Sequence, residues 1–123
     1  MRGRVLVVED DHLIRESLLE VLQDNGFDAT GASHGKDALT HLETTSHLPC
    51  LILLDLMMPV MDGREFREEQ LRRDAIARIP VVVVSAHHDV ADQVKDMEGI
   101  TYLRKPVKLS ELLRVVRAYC APG

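Results

Sequence analysis

The chain has 123 residues, a length typical of one domain. Hydrophobic residues make up 46% of it and charged residues 28%, which predicts a globular domain with an ordinary core and a solvated surface. The formal net charge of −5 argues against direct binding of nucleic acid or of an anionic membrane surface, because both attract basic patches.

The apolar segments and the cysteines indicate the compartment. No apolar run approaches the length of a transmembrane helix, and the apolar run at residues 5–8 is too short for a signal peptide. We therefore expect a cytoplasmic protein. In a reducing cytosol, Cys50 and Cys120 are predicted to be two free thiols, in preference to a disulfide.

Apolar patterning predicts an alternation of strands and helices. Unbroken aliphatic runs are typical of strands buried on both faces, as in a parallel sheet, and the stretches between them are amphipathic. In chain order we predict a strand at 5–8, a helix at 12–25 ended by Gly26, a weaker strand at 27–32, a helix at 36–42, a strand at 51–54, a helix at 64–73, a strand at 81–84, a helix marked by Val90, Val94 and Met97, a weaker strand at 101–104, and a helix marked by Leu109, Leu112, Leu113 and Val116. This order predicts right-handed crossovers and one α/β domain, over residues 1–123, with helices on both faces of the sheet.

Polar residues follow four of the predicted strands, at the sheet edge where open α/β domains bind ligands. They are Glu9, Asp10 and Asp11 after the first strand, Asp55 after the third, Ser85 after the fourth and Lys105 after the fifth. Singly, each has an ordinary explanation: an acid there is often a helix cap, as we expect for Asp11. Together they predict one polar site at the carboxyl edge of the sheet.

The charges at this edge predict a bound divalent cation. Glu9, Asp10 and Asp55 side by side would repel one another and raise each other's pKa values. Mg²⁺ would bring their summed charge from −3 to −1, and Lys105 would bring it to zero. Hard oxygen ligands on a compact edge suit Mg²⁺, which readily shares phosphate oxygens. A cation, a lysine and a hydroxyl around one carboxylate are what phosphoryl transfer needs, with Asp55 as the nucleophile.

Four motifs carry a resemblance to a known family. They are Val7-Val8-Glu9-Asp10-Asp11, Leu53-Leu54-Asp55-Leu56-Met57-Met58-Pro59-Val60-Met61-Asp62-Gly63, Val84-Ser85-Ala86 and Tyr102-Leu103-Arg104-Lys105-Pro106. With them the chain resembles, over essentially its whole length, the receiver domains of bacterial two-component response regulators, such as the chemotaxis regulator and the receivers of winged-helix transcription factors. The resemblance implies a doubly wound, flavodoxin-like (βα)5 three-layer sandwich with a parallel sheet of order 2-1-3-4-5.

The resemblance implies a role for each acidic residue. Asp55 matches the phosphoacceptor, which receives its phosphoryl group from a sensor histidine kinase or a phosphotransfer protein. Asp10 matches the acid that binds Mg²⁺ directly, and Glu9 matches the acid that reaches the metal through water. The backbone carbonyl of Met57 matches a further metal ligand.

The resemblance also implies a conformational switch and a docking surface. Ser85 matches the hydroxyl that moves toward the phosphoryl group, Lys105 the cation that pairs with Asp55, and Tyr102 the aromatic residue that turns inward. The Lys105–Pro106 bond is cis in the family. The first helix is the usual surface for the upstream partner, and Ile14, Arg15 and Leu18 are candidate contacts there.

The segment between the fourth and fifth strands departs from the family pattern. It is slightly shorter than usual before Tyr102, so we expect a short or displaced fourth helix. Ser85 stands where threonine is commoner, which keeps the hydroxyl. His87 and His88 invite a metal-site interpretation, but adjacent side chains point apart and we expect exposed loop histidines.

Two other functions would use the same kinds of site residues. One is a degenerate receiver that only docks other proteins, which the complete set of expected residues disfavours. The other is a metal-dependent phosphatase with an aspartate nucleophile. Such enzymes place the nucleophile and a second acid after the first strand, whereas the lone Asp55 follows the third. No glycine-rich nucleotide loop is present, which weighs against a kinase or a GTPase.

Overall fold

The computed structural model describes residues 3–86, 90–95, 97 and 100–121. Within these residues, ten elements alternate in sequence order. They are β1 (Arg4–Val8), α1 (His12–Asp24), β2 (Asp28–Ala32), α2 (Gly35–Thr44), β3 (Leu51–Leu54), α3 (Gly63–Leu71), β4 (Val81–Ser85), α4 (Val90–Val94), β5 (Thr101–Arg104) and α5 (Leu109–Tyr119). Each predicted element is confirmed, with bounds that differ by a few residues at most.

All five strands are parallel and lie in the order β2-β1-β3-β4-β5, as expected. The central strands β1, β3 and β4 are aliphatic and almost wholly buried, because helices cover both of their faces. At the edge, β5 is exposed at all positions except Leu103. The fold class predicted from the sequence is therefore confirmed.

Alternate side chains of β1 enter two separate parts of the core. Val5 and Val7 belong to a cluster that includes Leu22 of α1 and Val116 of α5. Leu6 and Val8 point the other way, into a cluster built from residues of α2 and α3, of which Phe66 is fully buried. Successive side chains of a strand point to opposite faces of the sheet, and helices cover both faces. The domain therefore has three layers, with the sheet between two layers of helices.

Carboxylate caps define where two of the helices begin. The Asp11 carboxylate accepts a hydrogen bond from the amide of Ile14 at 3.0 Å, which confirms its predicted role as the cap of α1. At α3, Asp62 and Glu65 form a reciprocal capping box: the Asp62 side chain accepts from the Glu65 amide, and the Glu65 side chain accepts from the Asp62 amide. Both helices thus start directly beside the carboxyl edge of the sheet.

The segment that follows β4 has the short helix that the sequence predicts. Helix α4 has five residues, and Val94 packs with Leu56 and Val83 in a small cluster of its own. The residues His87 and His88, expected to be exposed loop histidines, lie outside the described residues. Within the described part of the chain, no helix has the length and apolar character that a membrane crossing requires.

The prediction of two free thiols is wrong. Cys50 and Cys120 form a disulfide, with their Cα atoms 5.6 Å apart. The prediction rested on the compartment alone, whereas the fold brings the start of β3 and the end of α5 to the same edge of the sheet. At that Cα separation a disulfide forms without backbone movement.

Candidate functional site

Three carboxylates converge where β1 and β3 end. These strands are neighbours, with Val8 paired to Leu54, so the residues that follow them emerge side by side. One oxygen of each of Glu9, Asp10 and Asp55 lies within 4.8 Å of the others. Glu9 and Asp55 are buried and Asp10 is exposed, so the cluster opens to solvent on the side of Asp10.

Lys105, which directly follows the edge strand β5, also contacts this cluster. Its amide donates to the carbonyl of Ser85 at 2.8 Å, which continues the pairing of β4 and β5 by one residue. The Lys105 ammonium contacts Glu9 Oε1 directly and lies 3.7 Å from Asp55 Oδ2. The following Lys105–Pro106 bond is cis, in agreement with the prediction. Lys105 therefore pairs with Asp55, as expected, but makes its closer contact with Glu9.

The two buried carboxylates have opposite pKa shifts. Burial raises the pKa of Asp55, the hydrogen bond and charge of Glu9 raise it further, and Lys105 opposes them only in part, so the pKa is about 7. Burial also raises the pKa of Glu9. Its hydrogen bonds to Asp55 and Lys105 and the charge of Lys105 outweigh that effect and lower the pKa overall. Of the two carboxylates, Asp55 is therefore the one that binds a proton more tightly.

Backbone contacts hold Asp55 in place. Its amide donates to the carbonyl of Val8 at 3.0 Å, and its Oδ1 accepts from the amide of Met57 at 3.2 Å. Gly63, the first residue of α3, packs against the Asp55 backbone, and its amide donates a hydrogen bond to the Leu56 carbonyl at 3.0 Å. The carboxylate is therefore positioned by the sheet and by the loop that leads into α3.

Ser85 and Tyr102 lie on adjacent strands. Ser85 is fully buried at the end of β4, and Tyr102 of β5 is paired in register with Val83. Tyr102 as a whole is 41% exposed, so it lies at the surface of β5.

Two contributions to the site were missed by sequence reasoning. Gly63 belongs to one of the sequence motifs, but only the packing shows that a side chain at this position would collide with its neighbours. Arg15 was a candidate docking residue, but its guanidinium donates to the Glu9 carbonyl at 2.8 Å and lies 3.1 Å from His12 Nδ1. Arg15 therefore supports the β1–α1 loop, and no sequence signal distinguished that role from surface exposure.

The donor set fits a hard divalent cation. It consists of carboxylate oxygens at the edge of the sheet, with two members buried and one exposed, and hard oxygen ligands are those that Mg²⁺ prefers. Lys105 offsets only part of the burial and of the Glu9 repulsion that raise the pKa of Asp55. The acidic cluster can therefore hold a metal ion.

The chain is similar in sequence to known proteins. A sequence model of the response regulator receiver domain matches residues 5–117. The DNA-binding response regulator MtrA of Mycolicibacterium paratuberculosis is 40% identical over 120 residues, which are 96% of this chain and 51% of MtrA. The chain belongs to the response regulator receiver family. It spans about half the length of the curated relatives that it matches.

Solved receiver structures agree with this assignment. A response regulator receiver protein from Pseudomonas putida has a TM-score of 0.86 and 32% identity, and the match covers 96% of this chain and 98% of that one. The chemotaxis protein CheY4 of Vibrio cholerae has a TM-score of 0.85 and 25% identity, with 97% and 99% covered. The chain is thus a receiver domain of the kind found in the response regulators of two-component systems.

Proposed function

We propose that this receiver takes a phosphoryl group from the phosphohistidine of a sensor kinase or phosphotransfer protein onto Asp55. The observation that carries the proposal is a buried Asp55 carboxylate that has two further acids on one side and the Lys105 ammonium 3.7 Å away. A carboxylate so placed has a cation partner for a transferred phosphoryl group and acids to hold a metal beside it.

Asp10, Asp55 and the backbone carbonyl of Met57 would hold Mg²⁺, and Glu9 would assist through water. When bound, Mg²⁺ would neutralise the carboxylates and the charge of the incoming phosphoryl group. Asp55 must be deprotonated to act as a nucleophile, and its pKa of about 7 means that a proton leaves it near neutrality. Lys105 is close enough to both Glu9 and Asp55 to move its contact from one to the other.

The transfer would be the receiver's own chemistry. One Asp55 carboxylate oxygen attacks phosphorus, the bond from phosphorus to the donor nitrogen breaks, and the donor ring, already protonated on its other nitrogen, leaves as neutral imidazole. Lys105 and Ser85 then stabilise the phosphoryl oxygens, the first by a charge-assisted hydrogen bond and the second by its hydroxyl. Later attack by water would return Asp55 to the free carboxylate and release phosphate.

The switch would run through Ser85 and Tyr102. A Ser85 hydroxyl that moves toward the phosphoryl group vacates space behind β4, and the exposed Tyr102 ring on β5 can rotate into it. The surface around α4 and β5 then changes shape for a partner to recognise. Phosphorylation shifts this equilibrium by its differential affinity for the two states.

We further propose that residues 1–123 form a single receiver domain that works in the cytoplasm, away from membranes and without binding nucleic acid itself. The net charge of −5 supports this, since DNA and anionic lipid would both be repelled. The position of Asp55 after the third strand, with Glu9 and Asp10 after the first, disfavours an aspartate-nucleophile phosphatase. The complete site disfavours a degenerate docking module.

Intact mass after incubation with acetyl phosphate and Mg²⁺ tests the proposal. The parent protein should gain one phosphoryl group, and hydroxylamine should remove it, because an acyl phosphate is labile to that nucleophile. Asp55→Asn should gain none. Asp24→Asn, an exposed aspartate at the end of α1, is the matched control and should behave as the parent does. A phosphoryl group that survives hydroxylamine, or that persists in Asp55→Asn, would contradict the proposal.

A further inference from the structure

The Cys50–Cys120 disulfide lies at the sheet edge opposite the acidic site. Cys50 immediately precedes β3, whereas Asp55 follows the other end of the same strand. Cys120 is the C-terminal cap residue of α5. The two cysteines are separated by 70 positions in the sequence. The bond therefore ties the end of α5 to the sheet, remote from the phosphoacceptor.

The disulfide acts together with neighbouring backbone contacts. The Cys120 amide donates to the carbonyl of Val116 at 2.8 Å, and the Gly3 amide donates to the carbonyl of Ala121 at 2.8 Å. Cys120 itself packs in the core cluster that contains Val5. A Cβ at Gly3 would lie 2.8 Å from the Ala121 oxygen, so this junction of the chain is tightly packed.

One of the two sulfur-bearing residues is open to small molecules. Cys50 is partly buried and lines a surface depression of about 550 Å³, together with Arg4, Asp28 and His47. Cys120 is only 5% exposed. A small thiol can therefore approach Cys50, whereas Cys120 is protected by the core.

The same site accommodates the reduced state. The Cys50 sulfur lies 3.2 Å from the carbonyl oxygen of Arg4, so a Cys50 thiol has an acceptor for its hydrogen. A Cys120 thiol would remain among apolar side chains, an environment in which free cysteine is common. Breaking the bond therefore leaves both residues in places that suit a thiol.

We propose that Cys50 and Cys120 form a reversible redox modification site that anchors or releases the C-terminal end of α5. In the cytoplasm proposed above, disulfides form transiently and often serve as sensors. One thiolate of a dithiol reductant attacks the Cys50 sulfur, the Cys50–Cys120 bond breaks, and Cys120 leaves and takes up a proton. The second reductant thiol attacks the mixed disulfide and releases Cys50. Two electrons and two protons pass to the protein, and an oxidised dithiol reverses the exchange.

Native protein equilibrated with oxidised or reduced dithiothreitol tests this proposal. After quenching and denaturation, iodoacetamide should label neither cysteine in the oxidised sample and both in the reduced one. Reduction should lower Tm by roughly 10 °C, because a bond that closes a long loop restricts the unfolded chain. It should also speed amide hydrogen exchange at the end of α5 by at least tenfold.

Cys50→Ala is the matched control, since it removes the bond at the partly exposed position. It should resemble the reduced parent and should not respond to the redox state. The response should persist in Asp55→Asn, which separates it from phosphorylation. The proposal is overturned if iodoacetamide still labels both cysteines after oxidation, or if the native protein resists reduction. It is also overturned if the oxidised and reduced forms have the same Tm and the same hydrogen-exchange pattern.

Discussion

Gly63 lies directly against the backbone of Asp55. A Cβ on Gly63 would stand 2.5 Å from the Asp55 carbonyl oxygen and 2.8 Å from Leu56 Cα, and neither backbone atom can move without displacing the loop. The start of α3 can approach the phosphoacceptor only because residue 63 has no side chain. The Asp-Gly pair of the motif thus combines a helix cap at Asp62 with a close backbone contact at Gly63.

We predict that Gly63→Ala lowers the free energy of unfolding by about 2 kcal/mol and slows phosphorylation by acetyl phosphate at least tenfold. The added methyl must push Asp55 out of its position beside Lys105. Chemical denaturation and intact mass measure the two effects. Glu68→Ala, on the exposed face of α3, should change neither. Normal phosphorylation of Gly63→Ala would show that the loop absorbs the methyl without moving Asp55.

The raised pKa of Asp55 predicts that stability depends on pH. With a pKa of about 7 when folded and 3.8 as the reference for the unfolded chain, Asp55 keeps a proton in the folded state that the unfolded state has lost. Stability should therefore fall as pH rises from about 4 to about 7. Glu9, whose pKa is lowered, contributes stability that is lost only at lower pH.

Asp55→Asn should remove this pH dependence, since its amide does not ionise. At pH 8 with chelator present, it should be more stable than the parent by on the order of 2 kcal/mol, and the difference should vanish near pH 4. Urea denaturation of both proteins over this pH range measures the effect. Subtracting one curve of unfolding free energy against pH from the other removes the contribution of histidine titration, which is common to both proteins. An equal slope in both proteins would mean that the Asp55 pKa is not raised.

Asp10 and Asp11 are adjacent acids for which we predict different functions. Asp10→Asn should weaken Mg²⁺ binding at least tenfold, because it removes a charge and a ligand from the carboxylate cluster. Asp11→Asn should keep Mg²⁺ affinity, and since asparagine also caps helices, it should cost little stability. Calorimetric titration with Mg²⁺ compares them. Equal loss of affinity in both would show a general effect of negative charge.

The switch proposal predicts that Ser85→Ala still accepts a phosphoryl group but loses most of the conformational response. Amide chemical shifts with and without a beryllofluoride mimic should change around Tyr102 in the parent and much less in the variant. The expected coupling is on the order of 1–3 kcal/mol. Identical shifts around Tyr102 in both proteins would exclude coupling between Ser85 and Tyr102.

Val60 offers a stabilising substitution beside the site. Its φ of 67° lies in the left-handed region, which is unfavourable for a β-branched side chain, and 73% of the residue is exposed. Val60→Gly should raise the free energy of unfolding by about 0.5–1 kcal/mol, because relief of strain exceeds the added entropy of the unfolded chain. Val60→Asn should give a similar gain. A loss of stability in both variants would contradict this account.

Much of the fold follows from local sequence patterns. Three unbroken aliphatic runs predicted buried parallel strands, and acids directly after two of them predicted a shared site, because β1 and β3 end at the same edge. These predictions succeeded because burial on both faces leaves no polar position in a strand. A polar residue that directly follows such a strand is then expected at the carboxyl edge of the sheet.

Other features depend on side-chain contacts that no local sequence pattern predicts. Gln70 is fully buried, where its amide donates to the carbonyls of Ile76 and Ile79 at 3.0 Å each, although its sequence context is that of a solvated helix face. Cys50 and Cys120 are bonded only because the end of α5 returns to the start of β3. The sequence by itself determined the elements and the site edge, through periodicity and burial. Only the tertiary structure decided which distant groups touch, because such contacts leave no periodic signal in either segment.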